Sequence, residues 1–182
     1  MTGRADSHPD AHLDDGSPPA TPEELLARLE ALGIETRTVT HPRVFTVEEA
    51  KRLRGSLPGA HTKNLFVRDK KGAMWLVVAL EDRPVELAAV ARALGHKRFS
   101  FGSPDRLMRY LGLEPGSVTP FGALNDRGGH VRVALDEGLR AVEPWNFHPL
   151  VNSMTTSIEP ADMLRFLEAV DHPPTWLDMG AG

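Results

Sequence analysis

The chain has 182 residues, of which 41% are hydrophobic, enough for one ordinary domain with a single core and a tail. Twenty-one Lys and Arg against 25 Asp and Glu give a net charge of −4, which excludes a polybasic nucleic-acid coat, so any nucleic-acid contact must come from a local patch. The absence of cysteine excludes disulfide scaffolds, thiolate nucleophiles and cysteine-ligated metal centres. No apolar run approaches the ~18 residues of a membrane span and no signal-peptide core is present, so a cytoplasmic protein is expected.

Residues 1–20 read as a disordered acidic tail: four Asp against one Arg, several Pro and Gly, and one leucine, Leu13. The remaining residues are then nearly neutral, 20 basic against 21 acidic. Thr21-Pro22-Glu23-Glu24 is a capping box that opens a helix with Leu25, Leu26, Leu29 and Leu32 on one face and Gly33 as its stop. Glu35 to His41 reads as extended. Thr46 to Glu49 is a second capping box, for a short helix to about Leu53 whose outer face is basic (Lys51, Arg52, Arg54). Lys63–Arg68 and Ala73–Leu80 read as a strand pair around the turn Asp69-Lys70-Lys71-Gly72. The second is apolar on both faces and so central.

A helix is expected over about Val85–Leu94, a strand over Lys97–Phe101 and a helix from Ser103-Pro104 to about Leu111. Gly112 to Asp126 has no helical periodicity. His130–Leu135, Leu139–Val142, Asn146–Leu150 and Met154–Ile158 are strand candidates, and Pro160–Val170 is the last helix. Hairpin-length connections among interleaved elements argue for an α/β domain over residues 21–177 with a mixed sheet and surrounding helices, not a doubly wound parallel fold. Residues 178–182 are left as a short C-terminal tail.

Three segments carry chemistry. Lys63 and Asn64 head a buried strand, placing a cation and an amide at a sheet end. The lysine either snorkels to water or holds a phosphate and stabilises developing negative charge. Pro115-Gly116-Ser117-Val118-Thr119-Pro120-Phe121-Gly122 lies in a connection long enough to suggest a structured functional loop, with glycines that let a ligand approach the backbone. His148, in Trp145-Asn146-Phe147-His148-Pro149-Leu150-Val151-Asn152, precedes a proline and is expected to be extended. A fully extended segment would place His148 and Asn152 roughly 13 Å apart on one face. No serine elbow, paired-histidine metal motif, phosphate loop or dinucleotide fingerprint is present, so no metal and no cofactor are expected.

In that order and approximate spacing, Thr62-Lys63-Asn64-Leu65-Phe66, the Gly116-to-Pro120 loop and Phe147-His148-Pro149-Leu150-Val151-Asn152 resemble the aminoacyl-tRNA editing domains of the YbaK/ProX superfamily. Free-standing prolyl-tRNA editing proteins, which deacylate alanyl-tRNA(Pro), are the nearest likeness, over about Thr21 to Leu177. The resemblance implies a trans-acting hydrolase of the ester joining a wrong amino acid to tRNA. It implies Lys63 at the terminal phosphate or ribose, the glycine–proline loop around the aminoacyl group, and a mechanism using bound water, backbone groups and the substrate's own hydroxyl. Lys63 and His148 become the candidate catalytic residues; Asn64, Gly116, Ser117, Pro120, Phe121, Gly122 and Asn152 become the candidate substrate-binding residues. The implied partners are the acceptor end of an aminoacyl-tRNA, tRNA(Pro), and prolyl-tRNA synthetase.

An ester is already activated, so positioning and electrostatics suffice without a covalent nucleophile. His148 is either a pocket wall that adds a hydrogen bond or an acid–base group, and the lack of a carboxylate in its segment favours the wall. Lys51, Arg52, Arg54, Arg68, Lys70, Lys71, Lys97 and Arg98 are candidates for tRNA contact. The alternatives are removal of another small residue (cysteinyl or seryl), a non-catalytic tRNA- or synthetase-binding module, and a small-molecule binder for an amino acid or aminoacyl adenylate.

Overall fold

The computed structural model describes residues 11–43, 46–54 and 57–179. Its first helix, α1 (Pro22–Ala31), begins where the capping box places it: the Thr21 hydroxyl accepts the Glu24 N–H at 3.2 Å and Pro22 occupies the first turn. Leu25 and Leu29 are fully buried, each contributing about 1.5–3 kcal/mol of apolar transfer. Strand β1 (Thr36–Thr40) follows, then α2 (Val47–Arg54), where the Thr46 hydroxyl accepts the Glu49 N–H at 3.1 Å.

The hairpin β2 (Ala60–Arg68) and β3 (Met74–Leu80) pairs antiparallel, Lys63 opposite Ala79 and Arg68 opposite Met74. After α3 (Leu87–Ala93), β4 (Ser100–Phe101) and α4 (Pro104–Leu111) come β5 (Val131–Asp136), β6 (Trp145–Phe147), β7 (Met154–Ile158), α5 (Pro160–Ala169) and β8 (Thr175–Leu177). Among the described residues the eight strands form one mixed sheet in the order β1-β7-β6-β2-β3-β5-β8, with β4 on β2. β3 is central, and β2–β6, β3–β5 and β5–β8 are parallel.

Period-two alternation divides the core. Met74, Leu76 and Val78 of β3 face the main cluster with Leu25, Leu29, Leu107, Leu111, Met163, Phe166 and Leu167 from α1, α4 and α5. Trp75 and Val77 face a smaller cluster with Val90 and Ala91 of α3, Phe99 and Val67. The sheet is thus covered on both faces, as its doubly apolar central strand requires.

Four expectations are corrected. The tail boundary at Ala20 does not hold, because residues 11–20 lie on the domain: Leu13 is 4% exposed, the Asp14 N–H donates to the Arg109 carbonyl, and Asp14 and Asp15 pair with Arg109 and Arg127. The Ala20 N–H donates to Asn125 at 2.9 Å. Composition counts apolar residues but cannot see one leucine find a slot or two carboxylates find arginines. Residues 1–10 lie outside the described residues.

Leu139–Val142 is not a strand. Residues Glu137–Ala141 form a 3₁₀ turn, capped by the Asp136 carboxylate on the Gly138 N–H, and the Trp145 indole N–H donates to the Leu139 and Val142 carbonyls. The strand expected from Lys97 shrinks to Ser100–Phe101, because Phe99 turns in against the His96 ring, 5.0 Å away. The strand expected to Leu150 stops at Phe147: Pro149 has no donor, the Leu150 N–H closes back on the His148 carbonyl, and Leu150 has φ 71°. The three-residue β8, after Pro173-Pro174, was too short to carry a pattern.

Candidate active site

The candidate site lies along the stretch of β2 that no strand covers on one edge among the described residues. On the edge away from β3, β6 covers Ala60 and His61 and β4 covers Val67 and Arg68. The stretch between is met by the loop after α4, which the Asn64 side chain clamps by donating from Nδ2 to the Val118 carbonyl at 2.9 Å. The Asn64 Oδ1 is buried without a hydrogen-bond partner among the described residues. Such an acceptor is costly unless something donates to it.

Alternation sends Lys63 and Asn64 to opposite faces of β2: Asn64 shares its face with Phe66 of the main cluster, Lys63 with Leu65 and Val67 of the smaller one. Lys63 is half-buried, and among the described residues its ammonium has neither an ion pair nor a hydrogen bond.

The loop owes its shape to its sequence. Pro115 and Gly116 are the central residues of a turn closed by the Ser117 N–H on the Glu114 carbonyl at 3.0 Å, and Gly116 has φ 88°, which the second central position of this turn demands. Ser117 and Thr119 are buried, and the Thr119 hydroxyl accepts the Phe121 N–H to start a 3₁₀ turn over Pro120–Asn125. A Cβ on Gly122 would come within 2.7 Å of Leu113, so that glycine serves close packing. Phe121 is 0% exposed, edge-on to Phe147 and Phe166. Phe121 and Gly122 therefore anchor the loop from beneath, and Pro120 is buried with them. The exposed face of the loop is Pro115-Gly116.

His148 leaves β6 with its ring held by Nδ1–H donating to the Met154 carbonyl at 2.8 Å, which puts the lone pair on Nε2. Burial pushes its pKa below the ordinary 6.5; the Met154 carbonyl acts against this and the neighbouring His41 with it. The ring is thus a neutral acceptor at neutral pH. A backbone carbonyl supplies the orientation that no carboxylate in the segment offered.

Two residues missed in the sequence complete the frame. The His41 ring lies 6.2 Å from that of His148 and bonds Thr155 through Nε2. Arg43 donates from Nε to the Asn152 Oδ1 at 3.0 Å and reaches Glu114 at 3.6 Å. Asn152 is fully buried and serves this bridge, tying the β6–β7 loop through Arg43 to the start of the glycine–proline loop. The available signal was the second His-Pro pair, His41-Pro42, matching His148-Pro149. Among the described residues no three His, Asp or Glu side chains assemble for a metal, and no helix is long and apolar enough to cross a membrane.

An unpaired cation, an amide oxygen in want of a donor and a neutral imidazole lone pair are groups that suit a polar anionic ligand with donor groups; of the three, Asn64 bonds the loop, and Lys63 faces the other side of β2. Residues 41–166 match the family model of the aminoacyl-tRNA editing domain, and the chain belongs to that family of aminoacyl-tRNA hydrolases. It is 40% identical over 157 residues to the prolyl-tRNA synthetase associated domain-containing protein 1 of Danio rerio, covering 85% of each chain. To the prolyl-tRNA editing protein ProX of Acetoanaerobium sticklandii it is 35% identical over 148 residues, 81% of this chain and 90% of that one. A solved structure described as a candidate trans-editing enzyme for prolyl tRNA synthetase shares the fold, with TM-score 0.66 and 18% identity over 88% of this chain and 99% of that one.

Proposed function

We propose that the protein is a free-standing cytoplasmic deacylase that removes alanine from mischarged tRNA(Pro), working beside prolyl-tRNA synthetase. The observation that carries the reading is the Asn64 clamp: it fixes the glycine–proline loop through the Val118 carbonyl and leaves its own oxygen buried and unpartnered. That oxygen suits the α-ammonium or the terminal hydroxyl of an aminoacyl-tRNA. In this reading Lys63 meets the terminal phosphate or ribose and the charge that develops as the ester opens. The exposed Gly116 peptide borders the aminoacyl group. The His148 Nε2 accepts a hydrogen bond from the attacking water or the neighbouring ribose hydroxyl while its ring limits pocket size.

The overall reaction adds water across the ester, releasing the amino acid and the free tRNA hydroxyl. Selection against size answers a physical need, because a synthetase pocket discriminates a missing methylene by only ~1–3 kcal/mol. The decisive test incubates pure protein with alanyl-, seryl-, cysteinyl- and prolyl-tRNA and follows ester loss. Hydrolysis of alanyl-tRNA(Pro) with prolyl-tRNA(Pro) spared is expected; equal loss of both would exclude the size-selective site, and no loss of any would leave a binding module.

A further inference from the structure

The sheet end beyond β4 carries a charge pattern that the site does not use. The turn 69–72 and the segment 95–103 contain one acidic residue, Asp69. Its carboxylate accepts the Lys71 and Ala73 N–H groups and bonds the His96 Nδ1 at 2.9 Å. The Trp75 indole N–H donates to the His96 Nε2 at 3.0 Å, so His96 donates to Asp69 and the chain Trp75–His96–Asp69 is fully matched.

That chain docks the segment after α3 onto the β2–β3 turn and gathers Lys70, Lys71, Lys97 and Arg98, all exposed. Among the described residues none of these four side chains has an ion-pair partner. Arg132 joins them, its guanidinium 5.7 Å from the centre of the Trp75 ring. Beside them stands Phe101, 63% exposed and the large hydrophobic residue most open to solvent among those described.

We propose that Phe101 and this basic cluster are the landing surface for the acceptor arm of the RNA whose 3′ end occupies the site, with Phe101 stacking on an unpaired base and the lysines and arginines meeting the phosphates beyond. The proposal rests on the deacylase reading for what lies in the site. Distance supports the placement. Phe101 pairs with Val67, four residues along β2 from Lys63 and on the same face, or roughly 13 Å at ~3.3 Å per residue. A stacked strand rising ~3.4 Å per nucleotide covers that in about four nucleotides, which brings the duplex to the cluster. An exposed aromatic beside unpaired cations is the combination that grips single-stranded nucleic acid without reading sequence. In a chain of net charge −4 this local concentration of cations gives a polyanion a place to be attracted to.

The test measures fluorescence anisotropy with a labelled acceptor-arm hairpin RNA carrying an unpaired 3′ tail, and with a blunt hairpin of the same stem. Phe101→Ala is expected to weaken the tailed hairpin about 5- to 100-fold, the scale of one lost base stack, with little effect on the blunt one; Phe101→Trp retains binding. Lys70→Ala, Lys71→Ala, Lys97→Ala and Arg98→Ala together weaken both and make the log–log salt dependence shallower by about 3–4.

Unchanged affinity and salt slope in both variants overturn the surface, as does a parent protein that ignores both hairpins at low salt. Normal RNA binding with lost co-sedimentation with prolyl-tRNA synthetase also overturns it, in favour of a protein interface. A short aminoacyl-adenosine ester separates the two readings. All these variants should hydrolyse it like the parent; a parent that does not hydrolyse it counts against the enzyme, while the anisotropy still decides the surface.

Discussion

At the residue scale the proposed chemistry turns on two side chains, Lys63 and His148. Lys63 is a half-buried cation with no partner among the described residues, so truncation removes a charge without orphaning another. Lys63→Ala should keep the fold by circular dichroism and lower single-turnover deacylation by about 10²–10³, the usual loss of one preorganised electrostatic donor; a folded variant at full rate would take Lys63 out of the mechanism. For His148 the pH dependence has a definite sign. Its pKa lies below 6.5 and its useful form is the neutral ring, so activity should hold as pH falls through 6.5 and drop only through the lower folded value. His148→Ala separates wall from base. A wall variant gains prolyl relative to alanyl turnover, whereas loss of a base lowers both by about 10²–10⁴ without changing their ranking.

The instructive element is the segment 11–20. Leu13 is buried, and Asp14 and Asp15 engage Arg109 on α4 and Arg127 after the 3₁₀ turn. These ion pairs are open to solvent and screened by it, so the leucine dominates. Leu13→Ala should cost about 2–5 kcal/mol if the slot stays open, less if it collapses, read as a lower urea midpoint. Deleting residues 1–10 should leave that midpoint unchanged, whereas deleting 1–20 should lower it; equal midpoints for the two deletions would show that the docked segment adds nothing. The same accounting explains α1 and the β2–β3 hairpin, both recognised from sequence. The cap of α1, the polar turn 69–72 and the doubly apolar run of β3 are local features, and tertiary packing agrees with them.

Across the whole molecule, the pair Asp126–His172 joins the end of the 3₁₀ turn to the end of α5. His172 faces the Asp126 carboxylate through Nε2 at 2.9 Å and the Val170 carbonyl through Nδ1, so both nitrogens donate and the ring is a buried cation. Burial alone lowers its pKa, but Asp126 and the Val170 carbonyl more than offset this and the net value lies above 6.5. For Asp126 burial acts upward, and His172 with the Val131 and His130 N–H groups brings the net value below 3.8. The His172 contribution is therefore complete below pH 6.5 and lost as pH rises through its folded value; that of Asp126 is present above 3.8 and lost as pH falls through its own. Thermal stability should peak between these limits. His172→Ala should cost about 3–5 kcal/mol near neutrality, since it leaves a buried carboxylate unpaired. A melting temperature in this variant with the parent's alkaline decline would assign that decline elsewhere.

The sequence by itself determined the helices with capping boxes, the central strand apolar on both faces, the mixed-sheet class and the three segments that mark the editing family. Each of these is written in neighbouring residues, as a cap three positions from its partner, a period of two, or a loop with Pro and Gly at fixed offsets. Only the tertiary structure decided that Phe121 and Gly122 hold the loop from the core side, that Asn152 is tied by Arg43, and that Leu13 belongs to the domain. It also turned His148 into an oriented neutral acceptor through Met154 and gathered the cations beside Phe101 through Asp69 and His96. These are meetings of residues 6 to more than 100 positions apart, made by sheet pairing and loop docking. No local propensity encodes them, because the free energy that selects them exists only once the chain has closed on itself.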